Sequence, residues 1–313
     1  MFSPEIKRDY VLLRMLNKIK EENILSRMEK PGSAHQLALF RIILGLEIGY
    51  VTWSNIFRFT AYVAVPGGTQ NIFPEFLNQW IDAIAVPYLI VITQVLCIFL
   101  VLGLLTRVIL PLLFTSFFFL FSWYYVSHNA PIPWLYIWFP LLLLNFTKCS
   151  DVLSLDRIIK LQRPLPDLRA KDYRWPMEVV AGWLSYIYVA AGLSKLLPIY
   201  KGWYWLQGGT SQEIMYNRYL DSMYFYLFEK PLFDYTEYHW VFAILAIASV
   251  MVELACIAIL FTHRYNAAIF AMLLGMHLFL YLAGVMGFLQ LMLVLSVSLV
   301  QPAFFNRLFK EQS

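Results

Sequence analysis

Long apolar runs constrain this chain more than any other feature of its sequence. A run of about 20 predominantly apolar residues is long enough to cross a bilayer as a helix. These runs predict an all-α, polytopic integral membrane helix bundle with about eight transmembrane helices. Seven or nine spans are the alternatives, because only Gly284 and Gly287 divide the last two runs and prolines interrupt the fourth. The eight runs lie at residues 37–63, 82–105, 108–126, 132–147, 175–197, 240–262, 266–284 and 287–304.

The composition agrees with a membrane protein and excludes several other classes. Apolar and aromatic residues make up 60% of the 313 residues, only 14% carry charge, and the mean hydropathy is +0.62. A soluble domain is about half apolar and about a quarter charged. The chain is therefore not expected to be a soluble enzyme, a disordered protein or a nucleic-acid-binding domain, and its expected surroundings are the lipid bilayer. Three cysteines without a CxxC pair exclude a disulfide scaffold.

The distribution of Lys and Arg predicts the orientation. The segment 1–36 and the 148–174 loop carry seven each, whereas the 64–81 loop carries none and the long 198–239 loop carries three. Cytoplasmic connections are the ones enriched in Lys and Arg. We therefore expect both termini in the cytoplasm and the 198–239 loop on the outer face. The chain divides into a cytoplasmic segment (1–36), a transmembrane domain (37–305) and a cytoplasmic tail (306–313).

The N-terminal segment has a helical pattern of its own. Apolar residues recur at roughly helical spacing over residues 10–28, with lysines between them. This pattern predicts an amphipathic helix. Two interpretations are open: the helix lies on the anionic cytoplasmic leaflet, or it packs on the protein.

A few ionisable residues fall inside the apolar runs, where they are costly unless paired. Arg41 is near the start of the first run and is expected either to reach the cytoplasmic surface or to bind a substrate or cofactor. Glu47 is expected to pair with a neighbouring helix. Glu253 and His277 lie near the middles of the sixth and seventh runs, as buried hydrogen-bonding partners or as binding residues. Metal-binding and nucleotide-binding motifs are missing from the sequence, so no metal site is predicted.

Lys195 is the candidate catalytic residue. It lies near the outer end of the fifth run, where a lysine either extends to the surface or, in a dry apolar site, loses proton affinity and acts as a base. Gly192 would let a neighbouring helix approach closely. The nearest carboxylates along the chain are distant, and Glu253 is placed too deep to be an expected partner. His128, in the turn after the third run, is expected at the same membrane level.

Several short motifs occur in the order found in a known family. They are Leu37–Gly45 (LALFRIILG), Asp151–Arg157 (DVLSLDR), Ala191–Leu196 (AGLSKL), and His277 followed by Gly284–Phe288 (GVMGF). Over about residues 37–305 the chain resembles the HTTM family, the membrane domain shared with vitamin K-dependent gamma-carboxylase.

The resemblance implies a specific chemistry. Lys195 matches the second lysine of the family's Ala-Gly-x-Lys-Lys-Leu-like stretch, which is taken as the base that deprotonates vitamin K hydroquinone, while Ser194 replaces the first. His128 is the nearest match to a family histidine. The implied cofactor is reduced vitamin K or another quinol, which reacts with oxygen to give a strong base for glutamate carboxylation. Tyr188, in the stretch before Lys195, joins Arg41 and the two buried mid-span residues as candidate substrate- or cofactor-binding residues.

Two functions follow from the resemblance. The first is an enzyme of the bacterial inner membrane that modifies a secreted peptide or protein on the outer face. The second is a non-catalytic maturation or export factor for a small secreted peptide, as in short HTTM proteins of toxin-maturation systems. Gamma-carboxylases bind their substrate's propeptide in a region beyond the membrane domain, so the 198–239 loop is the expected docking element here. Replacement of Lys195 separates the two functions.

Overall fold

The computed structural model describes residues 22–54, 75–128, 135–159, 171–197, 202–232, 234, 236–283 and 291–309. Within these ranges the backbone forms helices and turns without a strand, which confirms the all-α prediction. Five helices are long and apolar enough to cross a membrane, as expected for an integral membrane protein; the count of eight and the orientation stay predictions. These helices are Ala34–Ser54, Ala83–Leu102, Thr106–Trp123, Lys171–Leu196 and His239–Leu260.

The described residues form fifteen α-helices. In chain order they are α1 (Ile24–Met28), α2 (Ala34–Ser54), α3 (Glu75–Trp80), α4 (Val86–Leu102), α5 (Thr106–His128), α6 (Leu135–Leu144), α7 (Leu155–Ile159), α8 (Trp175–Leu196), α9 (Gly202–Leu206), α10 (Gly209–Arg218), α11 (Met223–Phe228), α12 (His239–Ala255), α13 (Asn266–Leu282), α14 (Leu291–Leu299) and α15 (Pro302–Leu308). A π-helical turn joins α3 to α4, and a 3-10 turn extends α12 to Leu260.

Two predicted spans differ from the observed helices. The fourth run forms α6, which has ten residues and contains Pro140. At 1.5 Å per residue it is about 15 Å long, half the thickness of the hydrocarbon core. The eighth run contributes to two short helices, α14 and α15, and Pro302 occupies the first position of α15, where its missing N–H costs nothing. The predicted break at Gly284 and Gly287 lies outside the described residues.

The described residues form two compact units. The Arg41 unit contains those of 31–176 and 302–313, and the Lys195 unit contains those of 1–30 and 177–301.

In the Lys195 unit the N-terminal segment packs on the protein. Arg27 in α1 is buried, and its Nε donates to Glu178 Oε2 at 2.9 Å while its Nη2 donates to the Ile259 carbonyl at 2.7 Å. A methyl group at Gly182 would come within 2.8 Å of Ile24, so the contact is close. This supports the packing interpretation for residues 22–28, whereas residues 10–21 of the predicted helix lie outside the described ranges.

Helices α8 and α12 run antiparallel, and their contacts fix their relative level. Ser185 donates to the Cys256 carbonyl at 2.7 Å, and a methyl group at Gly192 would lie 3.2 Å from the Cβ of Glu253. Helix α8 ends at Leu196, only four residues after Gly192. Helix α12 begins at His239, about 21 Å from Glu253 along a helix. Most of α12 therefore extends beyond the end of α8.

The short helices α9, α10 and α11, which we call the cap (residues 202–228), pack beside this extension of α12. Gly208 has φ +86°, and a methyl group there would lie 2.4 Å from the Ala243 nitrogen, so only glycine fits. Met215 packs with Phe242 of α12 and with Ala283, which directly follows α13. The cap therefore lies at the ends of α12 and α13, at what we call the His239 end of the unit.

Candidate functional site

The central feature of the Lys195 unit is a largely buried ion pair. The Nζ of Lys195 donates to Glu253 Oε1 at 2.5 Å, and the two side chains are 18% and 7% exposed. The expectation that Glu253 lies too deep to be a partner is wrong. Lys195 is the last residue but one of α8 and is level with Glu253, near the Ala255 end of α12, about 21 Å along that helix from His239. The pair brings together a predicted catalytic residue and a predicted binding residue.

The sequence positions this pair through small residues on α8. Gly192 precedes Lys195 by three residues and therefore lies on the same side of the helix, one turn away. Its missing side chain allows α12 to approach until Glu253 and Leu254 contact it, at 3.1–3.2 Å from a methyl group placed there. The close approach predicted at Gly192 is present, and it brings the Glu253 carboxylate within reach of the lysine.

Trp205 in α9 completes the surroundings of Lys195. The Nζ atom lies 4.9 Å from the centre of the Trp205 ring, within the range of a cation–π contact. The indole Nε1 of Trp205 and the second carboxylate oxygen of Glu253, Oε2, are both buried and have no hydrogen-bond partner among the described residues. Trp205 cannot be recognised from the sequence, because nothing there distinguishes it from the other nine tryptophans.

Tyr188 and His277 form a second polar pair in the same unit. The Tyr188 hydroxyl lies 2.8 Å from His277 Nε2, within hydrogen-bond distance, and both side chains are buried. Tyr188 precedes Lys195 by seven residues, so the two share a face of α8 about 10 Å apart along its axis. Two further predicted binding residues therefore contact each other, and Tyr188 lies on the face of α8 that carries Lys195.

The chemistry available at this site is proton transfer. An ammonium and a carboxylate share one proton in their hydrogen bond and together carry no net charge, which limits the cost of placing them in an apolar bundle. The pair can accept a second proton, because Glu253 can become a carboxylic acid while Lys195 stays an ammonium. The described residues contain no group of His, Cys, Asp and Glu side chains that could hold a metal ion.

His128 and Arg41 both belong to the Arg41 unit. His128 is the last residue of α5, so the helix continues where a turn was predicted. Its side chain is not among the described ones, and its action with Lys195 stays a prediction.

Arg41 lies in a network of backbone carbonyls. Its Nη1 donates to the Cys149 carbonyl at 3.0 Å and its Nη2 to the Leu153 carbonyl at 2.5 Å. The side chain is fully buried, so the expectation that it reaches the cytoplasmic surface is wrong. The guanidinium instead satisfies carbonyls of the irregular segment before α7, where Leu153 has a left-handed φ of +49°.

Asp156 fixes the neighbouring turn. Its carboxylate accepts from the backbone nitrogens of Leu105 and Thr106 at 2.8 and 2.9 Å, and from the Thr106 hydroxyl at 2.9 Å. Gly103, at φ +66°, ends α4 beside it. Arg41 and Asp156 lie in two of the motifs that resemble the HTTM family. Both bind backbone groups of this unit.

Glu47 is buried in α2, where it accepts a hydrogen bond from the Tyr136 hydroxyl of α6 at 3.5 Å. This is the pairing with a neighbouring helix that the sequence predicts.

The site rests on its own geometry, because no relative of known function supports it. No protein-family model, curated protein or solved structure shows significant similarity to this chain.

Proposed function

We propose that this chain is a membrane-embedded, gamma-carboxylase-like enzyme in which Lys195 takes a proton from a lipid-soluble quinol. The observation that supports this most is the contact of Lys195 with Glu253 and Trp205, beside the Tyr188–His277 pair. Buried ionisable residues in membrane spans are rare and mark functional sites. Four groups that can move protons are therefore placed in one helix bundle.

The residues present fit a quinol such as reduced vitamin K. Glu253 Oε2 can accept a hydrogen bond from a hydroxyl group, and Trp205 Nε1 can donate one to an oxygen. The Trp205 ring offers a flat apolar surface beside them. When bound, a quinol would supply the reducing equivalents and the acidic hydroxyl for carboxylation.

The protein's own residues would hold the proton. In the resting structure the Lys195–Glu253 pair holds one proton between nitrogen and oxygen. When the quinol proton passes to Lys195, the proton that Lys195 shares with Glu253 moves to the carboxylate. Lys195 is then again an ammonium and Glu253 is a carboxylic acid, so the positive charge stays beside the ligand. The surrounding α8 and α12 side chains would exclude water, which would otherwise compete for the proton.

The depth of Lys195 favours a ligand that dissolves in the bilayer. Lys195 is level with Glu253, about 21 Å along α12 from His239, and the cap packs toward the His239 end. A quinol reaches this depth from the lipid phase without crossing the cap. The Tyr188–His277 pair would orient the polar groups on the same face of α8 and conduct protons along it.

The orientation of the protein in the membrane and its peptide substrate are also part of the proposal. The Lys and Arg distribution supports both termini in the cytoplasm, eight spans and the His239 end outside, and the resemblance to short HTTM proteins supports a bacterial inner membrane. A secreted peptide or protein would then be modified on the outer face.

The test is carboxylation by the protein reconstituted in vesicles, given reduced vitamin K, labelled bicarbonate and a glutamate-containing secreted peptide. We expect Lys195→Met and Lys195→Arg to abolish incorporation of label, because methionine has no proton to pass to Glu253 and the arginine guanidinium does not release one. The matched control is Lys148→Met, which removes a lysine that is exposed and paired with Asp172.

The alternative, a non-catalytic maturation factor for a small secreted peptide, predicts a different outcome. A scaffold should tolerate at least one of the two Lys195 substitutions in a peptide-maturation assay in cells. Full maturation with Lys195→Met would refute the enzymatic proposal.

A further inference from the structure

The cap presents an apolar surface that the rest of the described chain does not cover. Five large side chains form it, and we call them the cap patch. Tyr226, Leu227 and Phe228 in α11 are 82%, 60% and 55% exposed. The other two members are Tyr216 and Leu220, also exposed.

The local structure holds this patch outward. Ser222 caps α11 by accepting from the Phe225 nitrogen at 3.0 Å, and its own side chain is buried. Phe225 packs edge-to-face on Tyr219, with ring centres 5.6 Å apart. The inner face of the cap is thus fixed by packing, and the opposite face carries Tyr226 and Leu227.

The level of the cap relative to the bilayer follows from α12. With its 3-10 extension to Leu260, α12 spans 22 residues, or about 33 Å, which matches the thickness of the hydrocarbon core. Trp240, exposed in its first turn, is typical of the membrane–water interface. The cap contacts Phe242 and Ala243, within one turn of Trp240. The cap therefore lies at the interface and not in the water beyond it.

The helix on which α11 packs also carries exposed apolar side chains. Helix α11 contacts α13, whose Leu274 and Leu278 are exposed along the span. Arg218 lies between Tyr216 and Leu220 in sequence, Lys230 follows the patch after the acidic Glu229, and all three charged side chains are exposed. Basic side chains beside an apolar face suit the phosphates of lipid headgroups.

We propose that the cap patch is buried in the headgroup–acyl boundary of the bilayer, so that the cap is an interfacial membrane anchor that holds Trp205 over Lys195. The occupant of the patch is phospholipid. This inference concerns the position of the cap and stands independently of the chemistry at Lys195.

The test measures the depth of spin labels in the full protein, reconstituted in phosphatidylethanolamine–phosphatidylglycerol vesicles. Labels are placed at Leu227→Cys and Tyr226→Cys, and at Asn217→Cys, an exposed polar position on α10, as the matched control. The three native cysteines are buried, so unlabelled protein carried through the same reaction gives the background. Oxygen concentrates in lipid, whereas a nickel chelate stays in water.

We expect the ratio of oxygen to nickel accessibility to be several-fold higher at Leu227 and Tyr226 than at Asn217. High nickel accessibility at both patch positions would show a water-facing surface, such as a docking site for a secreted peptide, and would overturn the proposal. Low accessibility to both reagents would show cover by protein, such as a second copy of the chain, and would overturn it equally. The Tyr226 label keeps the test decisive if Leu227→Cys fails to fold.

Discussion

The Lys195–Glu253 pair makes a quantitative prediction about stability. The Lys195 and Glu253 side chains are only 18% and 7% exposed. Lys195→Met or Glu253→Met therefore leaves one charged group without its partner in an apolar site. Breaking a buried pair by removing one member costs about 3–5 kcal/mol. We expect each single substitution to lower the free energy of unfolding by about 3 kcal/mol, since Lys195 retains some exposure.

The double variant separates a buried pair from ordinary loss of packing. Lys195→Met with Glu253→Met removes both charges and replaces them with apolar side chains of similar length, so most of the lost stability should return. The assay is equilibrium unfolding in mixed detergent micelles, analysed as a double-mutant cycle. The control cycle uses Lys148 and Asp172, whose side chains are 60% and 43% exposed and whose pair contributes under about 1 kcal/mol.

If either Lys195→Met or Glu253→Met changes stability no more than Lys148→Met does, the pair is not buried in solution. If the double variant is destabilised by the sum of the two single losses, the two groups do not interact.

Three further predictions concern the Arg41 unit and its surface. Gly103→Ala should cost about 1–3 kcal/mol, because φ is +66° and its methyl group would lie 2.4 Å from Ser154, whereas Gly275→Ala, in open space on α13, should be neutral or stabilising by thermal unfolding. Asp156→Asn should lower the unfolding free energy by about 1.5–3 kcal/mol, because charge-assisted bonds to two backbone nitrogens weaken. The Lys148 ammonium lowers the pKa of Asp172, so their small contribution to stability is present at neutral pH and is lost as pH falls through that lowered pKa; Asp172→Asn should remove this acid-side dependence in pH-dependent melting curves.

Apolar run length explains why much of the helical framework is predictable from sequence. The runs that became α4, α5, α8, α12 and α13 each contain an uninterrupted apolar stretch, and helical hydrogen bonds are local. The fourth and eighth runs became shorter helices, and Pro140 and Pro302 lie in them. Where a proline interrupts an apolar run, the extent of the helix depends on its packing against other helices. The length of the run carries no information about that packing.

The site was harder to predict because depth along one helix does not give depth in the bundle. Lys195 ends its apolar run and Glu253 lies in the middle of another, so the sequence places them at different levels. The contact arises because α12 begins about 21 Å beyond Glu253 while α8 stops after Lys195. Gly192 signalled a close approach correctly, but it does not specify which helix approaches.

Arg41 illustrates a different reason for failure. From sequence, an arginine near the end of a span is expected to extend to the surface. The structure surrounds it instead with carbonyls of a segment more than 100 residues away, an arrangement set by the irregular backbone around Leu153. Such non-local backbone acceptors leave no periodic pattern in a sequence.

The central claim, that the Lys195–Glu253 pair accepts a proton from a quinol, is tested most directly by infrared difference spectroscopy. Reduced vitamin K is added to the reconstituted protein, and the carbonyl stretch of a protonated carboxyl group is followed. We expect this band to appear in the native protein and in Glu47→Gln, and to be absent in Glu253→Gln and in Lys195→Met. A band that persists in Glu253→Gln, or no carboxyl change in the native protein, would show that Glu253 does not receive the proton.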